Sequence, residues 1–423
     1  MAKVVETDNE IVVGLDVGSS TVHAIIGEVL PDRRINILGV GTQPSEGITR
    51  GSVTDVEKVV ESIKRATQAA ELSANCQISS VYCAISGSHI QSFNETGMVS
   101  INDEVTQDDV DSAIHTAKTI KLPVDCNRLL HAMEQNYKID NQSGIRNPIG
   151  ITGCRMQAFV HLIACHSDTA RNLEKCVSRV NNLKVDSLVF SGLASSHAVL
   201  SQDEKDIGVC MVDIGGGTMD MVIYTDGMLR YSGAIRYAGS NASKDVATAF
   251  STPFQVAESL KVRYGTVDLE EYRNNNKTVV IRSVSGEEEN LDLETVSQVL
   301  NSRYKELLEL VLSKVKEVQR KLKEEHVNNQ LGAGIVITGG GANMKGLLNL
   351  ARSVFSCQVR IGRPGLTMGL TETVNKPEFA TAVGLLIHGV KYSDHSSRRK
   401  DVFGKNAVAG FFKSMWQKIK DSY

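Results

Sequence analysis

Two short stretches, 197 residues apart, constrain the fold of this 423-residue chain more than any other feature. In each, an apolar run ends in an aspartate, passes through small residues to a threonine, and resumes as a second apolar run. One copy is Asp16-Val17-Gly18-Ser19-Ser20-Thr21 and the other Asp213-Ile214-Gly215-Gly216-Gly217-Thr218. After the second, Met219, Met221 and Ile223 alternate with Asp220, Val222 and Tyr224, the two-residue period of a strand. Val22, Ala24 and Ile26 do the same after the first. A P-loop or dinucleotide turn would open a helix instead. Each turn therefore sits in a β-hairpin, and its recurrence indicates duplication of a whole domain.

The chemistry of the pair fits a nucleotide gripped between two halves. Glycine and serine let backbone N–H groups approach phosphate oxygens closely. The acid ending each strand favours a phosphate only through a divalent cation, most simply Mg²⁺ held largely by water. The plainer alternative is two surface hairpins whose glycines only supply turns with positive φ. A third glycine run, in "AGIVITGGGANMKGL" from Ala333 to Leu347, follows a buried strand, Gly334 to Thr338, and precedes a helix-compatible segment, Leu347 to Phe355. Its backbone could lie flat against a purine or its α-phosphate. Lys345 is not in a Walker frame, and no GxGxxG with a following acid supports a dinucleotide fold.

Composition excludes several classes. With 41% hydrophobic and 22% charged residues, the chain is globular and long enough for two to four domains. The eight cysteines are scattered without a CxxC pair and read as buried, reduced thiols. No run approaches ~18 apolar residues, so no membrane span is expected; the polar first ten residues lack a secretory leader's apolar core. His161 and His166 fall on opposite faces of an expected strand, which argues against a metal site there. No Ser/His/Asp set, HExxH or basic–aromatic array points to hydrolase or nucleic-acid chemistry.

Charge is uneven. Eight Lys/Arg against three Asp put residues 391–423 at +5, so in a chain of net charge −3 the remainder carries −8. Within that tail, Val408, Phe411, Phe412, Met415, Trp416 and Ile419 form one helical stripe, with Lys413, Lys418 and Lys420 off it. Such a helix suits the plane of an anionic membrane surface, Trp416 at headgroup depth. The alternative is a helix docked on the folded body. The polar stretch Lys391 to Lys405 reads as a flexible basic tether and favours the membrane. One such anchor binds moderately, so firm attachment needs several tails together.

Elsewhere, Thr54 is the expected N-cap of a helix with Glu57 in a capping box, and Thr106 caps another. The longest helical stretch shows an apolar face of Val299, Tyr304, Leu307, Leu308, Val311, Val315, Val318 and Leu322.

The two turns and the strand–glycine turn, in this order, resemble the actin/Hsp70/hexokinase superfamily. Blocks at 9–29, 77–92, 185–200, 208–224, 333–347, 359–364 and 380–386 further resemble the FtsA family of bacterial cell-division proteins. The resemblance implies an α/β, actin-like duplicated fold: two ribonuclease-H-like domains around a nucleotide cleft, an FtsA-type 1C insertion and a C-terminal amphipathic helix. It implies subdomain 1A over 1–85, 162–198 and 370–390, 1C over 86–161, 2A over 199–240 and 311–369, and 2B over 241–310. A basic linker at 391–405 and a membrane-targeting helix at 406–421 would follow.

The resemblance also implies ATP and Mg as ligands. Asp16, Gly18, Ser19 and Ser20 would form one phosphate loop, and Asp213, Gly215, Gly216, Gly217 and Thr218 the other. Asp213 would face the metal through water, with Asp16 beside it. Gly339, Gly340, Gly341 and Met344 would contact the adenosine side, with Glu258 and Lys261 reaching ribose and base. Read locally, Glu258 and Lys261 are equally a solvated i,i+3 ion pair. Phe411, Phe412, Lys413, Met415, Trp416, Lys418 and Ile419 would bind membrane. Arg303 would meet the acidic C-terminal peptide of FtsZ, although locally it reads as a solvent-facing helical arginine. The implied role is an ATP-binding actin homologue at the division septum. It would polymerise on the inner face of the cytoplasmic membrane, anchor FtsZ filaments and recruit later divisome proteins such as FtsN.

Actin relatives orient the attacking water with a Gln or Glu in the segment joining the halves. Phe190 to Leu200 offers neither, so slow or negligible turnover is expected. The rival reading is a small-metabolite kinase on the same fold. A kinase needs a carboxylate base in the cleft, and the sequence presents no evident candidate beside the turns.

Overall fold

The computed structural model describes residues 10–273, 276–365 and 367–391. The expected membrane helix, with Phe411, Phe412, Lys413, Met415, Trp416, Lys418 and Ile419, lies outside the described residues.

Each acid–glycine hairpin founds a sheet, and the two sheets share one plan. In the first, Ile11–Val17 pairs antiparallel with Thr21–Val29, which pairs antiparallel with Ile35–Pro44. On its other side Ser80–Ile85 and then Lys184–Phe190 run parallel. In the second, Val209–Ile214 takes the centre. Met219–Thr225 and Met228–Ile235 follow antiparallel on one side, and Gly334–Thr338 and Val359–Ile361 parallel on the other. The duplication expected from two six-residue turns thus extends through five strands. Val209–Ile214 and Met219–Thr225 are buried at every position, as strands covered on both faces must be.

Two large cores flank the sheets, and the first of them also takes Val209, Met211, Val222 and Val336 from one face of the second sheet. Helix Val56–Ala74 covers the first sheet with Val59, Ile63, Ala66 and Ala70. Its cap is Asp55, which accepts from the Lys58 N–H at 3.2 Å, and not Thr54, whose hydroxyl donates to the Gly47 carbonyl. Helix Leu293–Glu324 covers the second sheet. Counting back from Tyr304 in steps of four gives Leu300 and Val296, both buried. Val299, expected on that face, is one position off it and half-buried.

The insertion is a third layer. Strands Gln91–Ser100, Arg155–Cys165, Arg128–Ile139 and Gln142–Ile145 form an antiparallel sheet under helix Gln107–Lys118, which Thr106 and Asp109 cap reciprocally. Val110, Ala113, Ile114, Met156 and Ala158 form its separate core. It also reaches the second half. Ser92 donates to the Ser232 carbonyl at 2.6 Å, and buried His161 bonds Asn94 and Ser232 at 2.7 and 2.8 Å. His161 is therefore a satisfied core histidine.

The last described element, a helix over 380–391, packs between the central strand Ile11–Val17 and helix Ser191–Val199. A Cβ on Gly384 would overlap the Ala194 carbonyl, so glycine lets the two helices touch backbone to backbone. All eight cysteines are free, as expected, but Cys154 and Cys357 are exposed.

Candidate functional site

The two turns close identically. Gly18 donates its N–H to the Thr21 carbonyl at 3.0 Å, and Gly215 donates to the Thr218 carbonyl at 3.0 Å. None of Gly18, Gly215, Gly216 and Gly217 has positive φ, so the plainer alternative for these glycines fails. Close approach requires them instead. A Cβ on Gly216 would overlap Ser20 Oγ, and one on Gly217 would overlap Ser19 Oγ and stand 3.0 Å from the Arg50 Cα. The turns face each other tip to tip across the boundary between the halves.

Beneath them lies a cavity of about 70 Å³, lined by both turns and by Ile48, Gly51, Val53, Ser86, Ser191, Asp220 and Thr381. Ligand pockets run to roughly 300–1,000 Å³, so the cavity as it stands is smaller than a nucleotide-sized ligand needs.

The cavity floor is acidic. Asp213 is buried and accepts from Ser195 Oγ at 2.5 Å and Thr381 Oγ1 at 3.1 Å. Burial still raises its pKa, against those two donors. Burial, then the neighbouring Asp213, pushes Asp16 up to about 7. Asp220, buried opposite Asp213 across the hairpin, is raised well above the carboxylate range by burial and by Asp213, while its 2.5 Å bond from Ser86 opposes the shift. Among the described residues lining the cavity none is Lys or Arg. Nor do three His, Cys, Asp or Glu side chains among the described residues converge closely enough for direct metal ligation. Three crowded acids without a cationic partner, set too wide for direct ligands, suit a hydrated divalent cation.

Asp220 and Ser86 were not singled out in the sequence. The signal was present for Asp220: it is the cross-strand partner of Asp213, where the first hairpin pairs Asp16 with His23. Its position also corrects the expectation that the cleft offers no candidate carboxylate base.

The third glycine run packs directly on this floor. Gly339 has φ +84, and a Cβ there would overlap Asp213 Oδ1 and come within 2.6 Å of the Ile214 carbonyl. Gly340 and Gly341 begin a short 3₁₀ turn that ends at half-buried Met344. Glu258 and Lys261 do form an ion pair, at 2.9 Å, with the lysine withdrawn from solvent and the glutamate half-exposed. The Lys261 side chain is 10% exposed and also donates to the Gly239 carbonyl, while Ser243 donates to Glu258. Gly239 N–H in turn donates to the Gly215 carbonyl at 3.1 Å, linking the pair to the second turn. Glu258, Lys261, Met344 and the three glycines 339–341 stand outside the cavity lining. Arg303 is not free on its helix. It pairs with Asp245 and with Glu306 and lines a surface groove with Gln298, Val299 and Ser302.

Comparison with known proteins decides the family. A family model described as cell division protein FtsA matches residues 210–384, and one described as an SHS2 domain inserted in FtsA matches residues 87–164. The cell division protein FtsA of Escherichia coli (strain K12) is 50% identical over 385 residues, 90% of this chain and 91% of that protein. The chain belongs to the FtsA family of cell-division proteins. An FtsA from Buchnera aphidicola subsp. Schizaphis graminum is 41% identical over 99% of this chain and 98% of its own. Among solved structures, a PilM–PilN type IV pilus biogenesis complex aligns with a TM-score of 0.60 at 15% identity, over 90% of this chain and 98% of that one. MreB5 of Spiroplasma citri bound to ADP aligns at 0.50 and 15%, over 93% and 99%. These two likenesses establish the actin-like fold of this FtsA-family chain. Among its described residues no helix is long and apolar enough to cross a membrane.

Proposed function

We propose that this FtsA-family protein binds Mg·ATP between its two hairpin turns, polymerises on the cytoplasmic face of the inner membrane, and anchors FtsZ filaments at the division septum. Asp16, Gly18, Ser19 and Ser20 meet the phosphates from one side and Asp213 with Gly215 to Thr218 from the other. When bound, Mg²⁺ supplies the positive charge that Asp16, Asp213 and Asp220 lack. Gly339 to Gly341, Met344, Glu258 and Lys261 serve the adenosine side. The observation that carries the reading is the pair of identically closed turns meeting tip to tip over three acids, with no Lys or Arg among the described residues of the cavity lining. The ADP named with MreB5 is in keeping with it.

The helix Ser191–Val199 that joins the halves is buried throughout and carries no Gln or Glu, so ATP acts as a structural ligand and conformational gate. The C-terminal stripe around Phe411, Phe412, Met415, Trp416 and Ile419 holds the filament to anionic lipid, and the Arg303 groove takes the FtsZ peptide. Later divisome proteins such as FtsN then join.

The test mixes purified protein, Mg·ATP and anionic vesicles, with and without residues 406–423. Filaments on lipid that require both nucleotide and tail support the proposal. Calorimetry showing no Mg·ATP binding sinks the cleft, and equal vesicle binding without the tail sinks the anchor. Turnover above about 1 s⁻¹, an ordinary enzyme rate, sinks the gate. ADP release that depends on an added small metabolite would favour the kinase reading, for which Asp220 is the available base.

A further inference from the structure

A two-residue hairpin that neither turn requires lies against both of them. Ile48–Thr49 pairs with Ser52–Val53, Ile48 opposite Val53 and Thr49 opposite Ser52, leaving Arg50-Gly51 as the connection. Both connecting residues have positive φ, 51 and 79, the pattern of a type I′ turn. Gly51 suits its place. At the first position such turns take Asn, Asp or Gly, whereas a long side chain there is strained. Strain of this kind persists where the surrounding structure fixes it, and it concentrates at ligand clamps and switches.

What fixes it here is the nucleotide cleft. Gly51 donates its N–H to Ser19 Oγ at 3.3 Å, tying the hairpin to the first turn. The Arg50 Cα sits against Gly217, so close that any side chain at 217 would meet it. Ile48, Gly51 and Val53 form part of the cavity wall. The hairpin therefore rests on Ser19 of one turn and Gly217 of the other, at the seam where the two halves meet. Exposed Arg50 adjoins Gly51 and Gly217, which line a cavity carrying three carboxylates and, among the described residues of its lining, no Lys or Arg.

We infer that Arg50 is the residue by which this cleft tells a nucleoside triphosphate from a diphosphate: its guanidinium takes the terminal phosphate, drawing the 48–53 hairpin onto the two turns. The inference rests on the nucleotide reading of the cleft. A divalent cation offsets the acids on the floor, but the terminal phosphate adds charge and acceptor oxygens at the open side. Arginine's planar fork matches those oxygens. A diphosphate does not reach the seam, so it leaves Arg50 in solvent. Discrimination then depends on a single cation held by a strained turn.

The test compares Mg·ATP and Mg·ADP affinities, by calorimetry, for the full-length protein, Arg50→Asn and Arg50→Lys. Asn is preferred at this turn position, so Arg50→Asn should melt at or above the parent temperature, which separates loss of function from loss of fold. We expect Arg50→Asn to lose about tenfold or more in ATP affinity, the range of a charge-assisted hydrogen bond, with ADP affinity changed less than about threefold. Arg50→Lys should fall between the two. Equal losses for both nucleotides, or an unchanged ATP-to-ADP ratio in Arg50→Asn, overturn the role of Arg50 and leave the cleft intact. A parent protein that binds neither nucleotide overturns the cleft, and the role of Arg50 with it.

Discussion

Replacing Asp16 by Asn separates what the cleft needs from what the fold prefers. Burial and Asp213 lift this carboxyl from 3.8 to about 7. In the unfolded chain it ionises near pH 4, whereas the folded cleft keeps its proton until about pH 7. Its contribution to stability is thus fully present below pH 3.8 and is lost as pH rises to 7. At about 1.4 kcal/mol per pH unit that interval is worth roughly 4 kcal/mol. Asp16 keeps some contact with cleft water, and screening reduces the figure to about 2 kcal/mol. Asp16→Asn should therefore stabilise the nucleotide-free protein at pH 8. For halves of roughly 200 residues the rise in Tm is roughly 4–8 °C. The gain should shrink by about half at pH 5.5, where the parent carboxyl is already protonated. Mg·ATP should raise the Tm of the parent and not of the variant. The assay is thermal unfolding at both pH values, in EDTA and in Mg·ATP. A variant that melts below its parent at pH 8, or a difference that does not shrink toward pH 5.5, would refute the electrostatic account of the cleft.

Two further outcomes follow from the same structure. Gly339→Ala places a Cβ against Asp213 and the Ile214 carbonyl at positive φ, so it should cost about 3 kcal/mol or more; a change in Tm of under 2 °C would show that this turn is not held as described. His23 and His388 are held by burial to about 4, and His131 and His161 to about 3. Their folded values lie below the unfolded 6.5, so the stability they confer is present above pH 6.5 and is lost as pH falls toward 3 to 4. Each should cost about 1.4 kcal/mol per pH unit below 6.5; a slope of Tm against pH that His161→Gln leaves unchanged counts against the buried neutral histidine.

Much of the architecture was legible because the strands carry it locally. The period of two after Thr218 and Thr21 gave the hairpins, and the aspartates and glycines marked the turns that meet at the cavity. What escaped notice depends on register between strands or on contacts between halves. Asp220 was legible through the hairpin register as the partner of Asp213, whereas its burial against the cleft was not. Lys261 reaches the Gly239 carbonyl, 22 residues away, and the partners of Arg303 include Asp245 on another helix. Thr54 and Val299 each missed by one position, since a cap or a stripe edge depends on the last turn of helix and not on the average pattern. The hairpin at 48–53 escaped because two-residue strands leave no periodicity to read.

The helix over 380–391 begins where Thr381 holds Asp213 and runs to Lys391, the last described residue. At 1.5 Å per residue that is a stiff lever about 18 Å long. Gly384 seats it on the Ala194 backbone, like a bearing without slack. A tug applied at residue 391 and a change of charge at Asp213 therefore act on opposite ends of one beam.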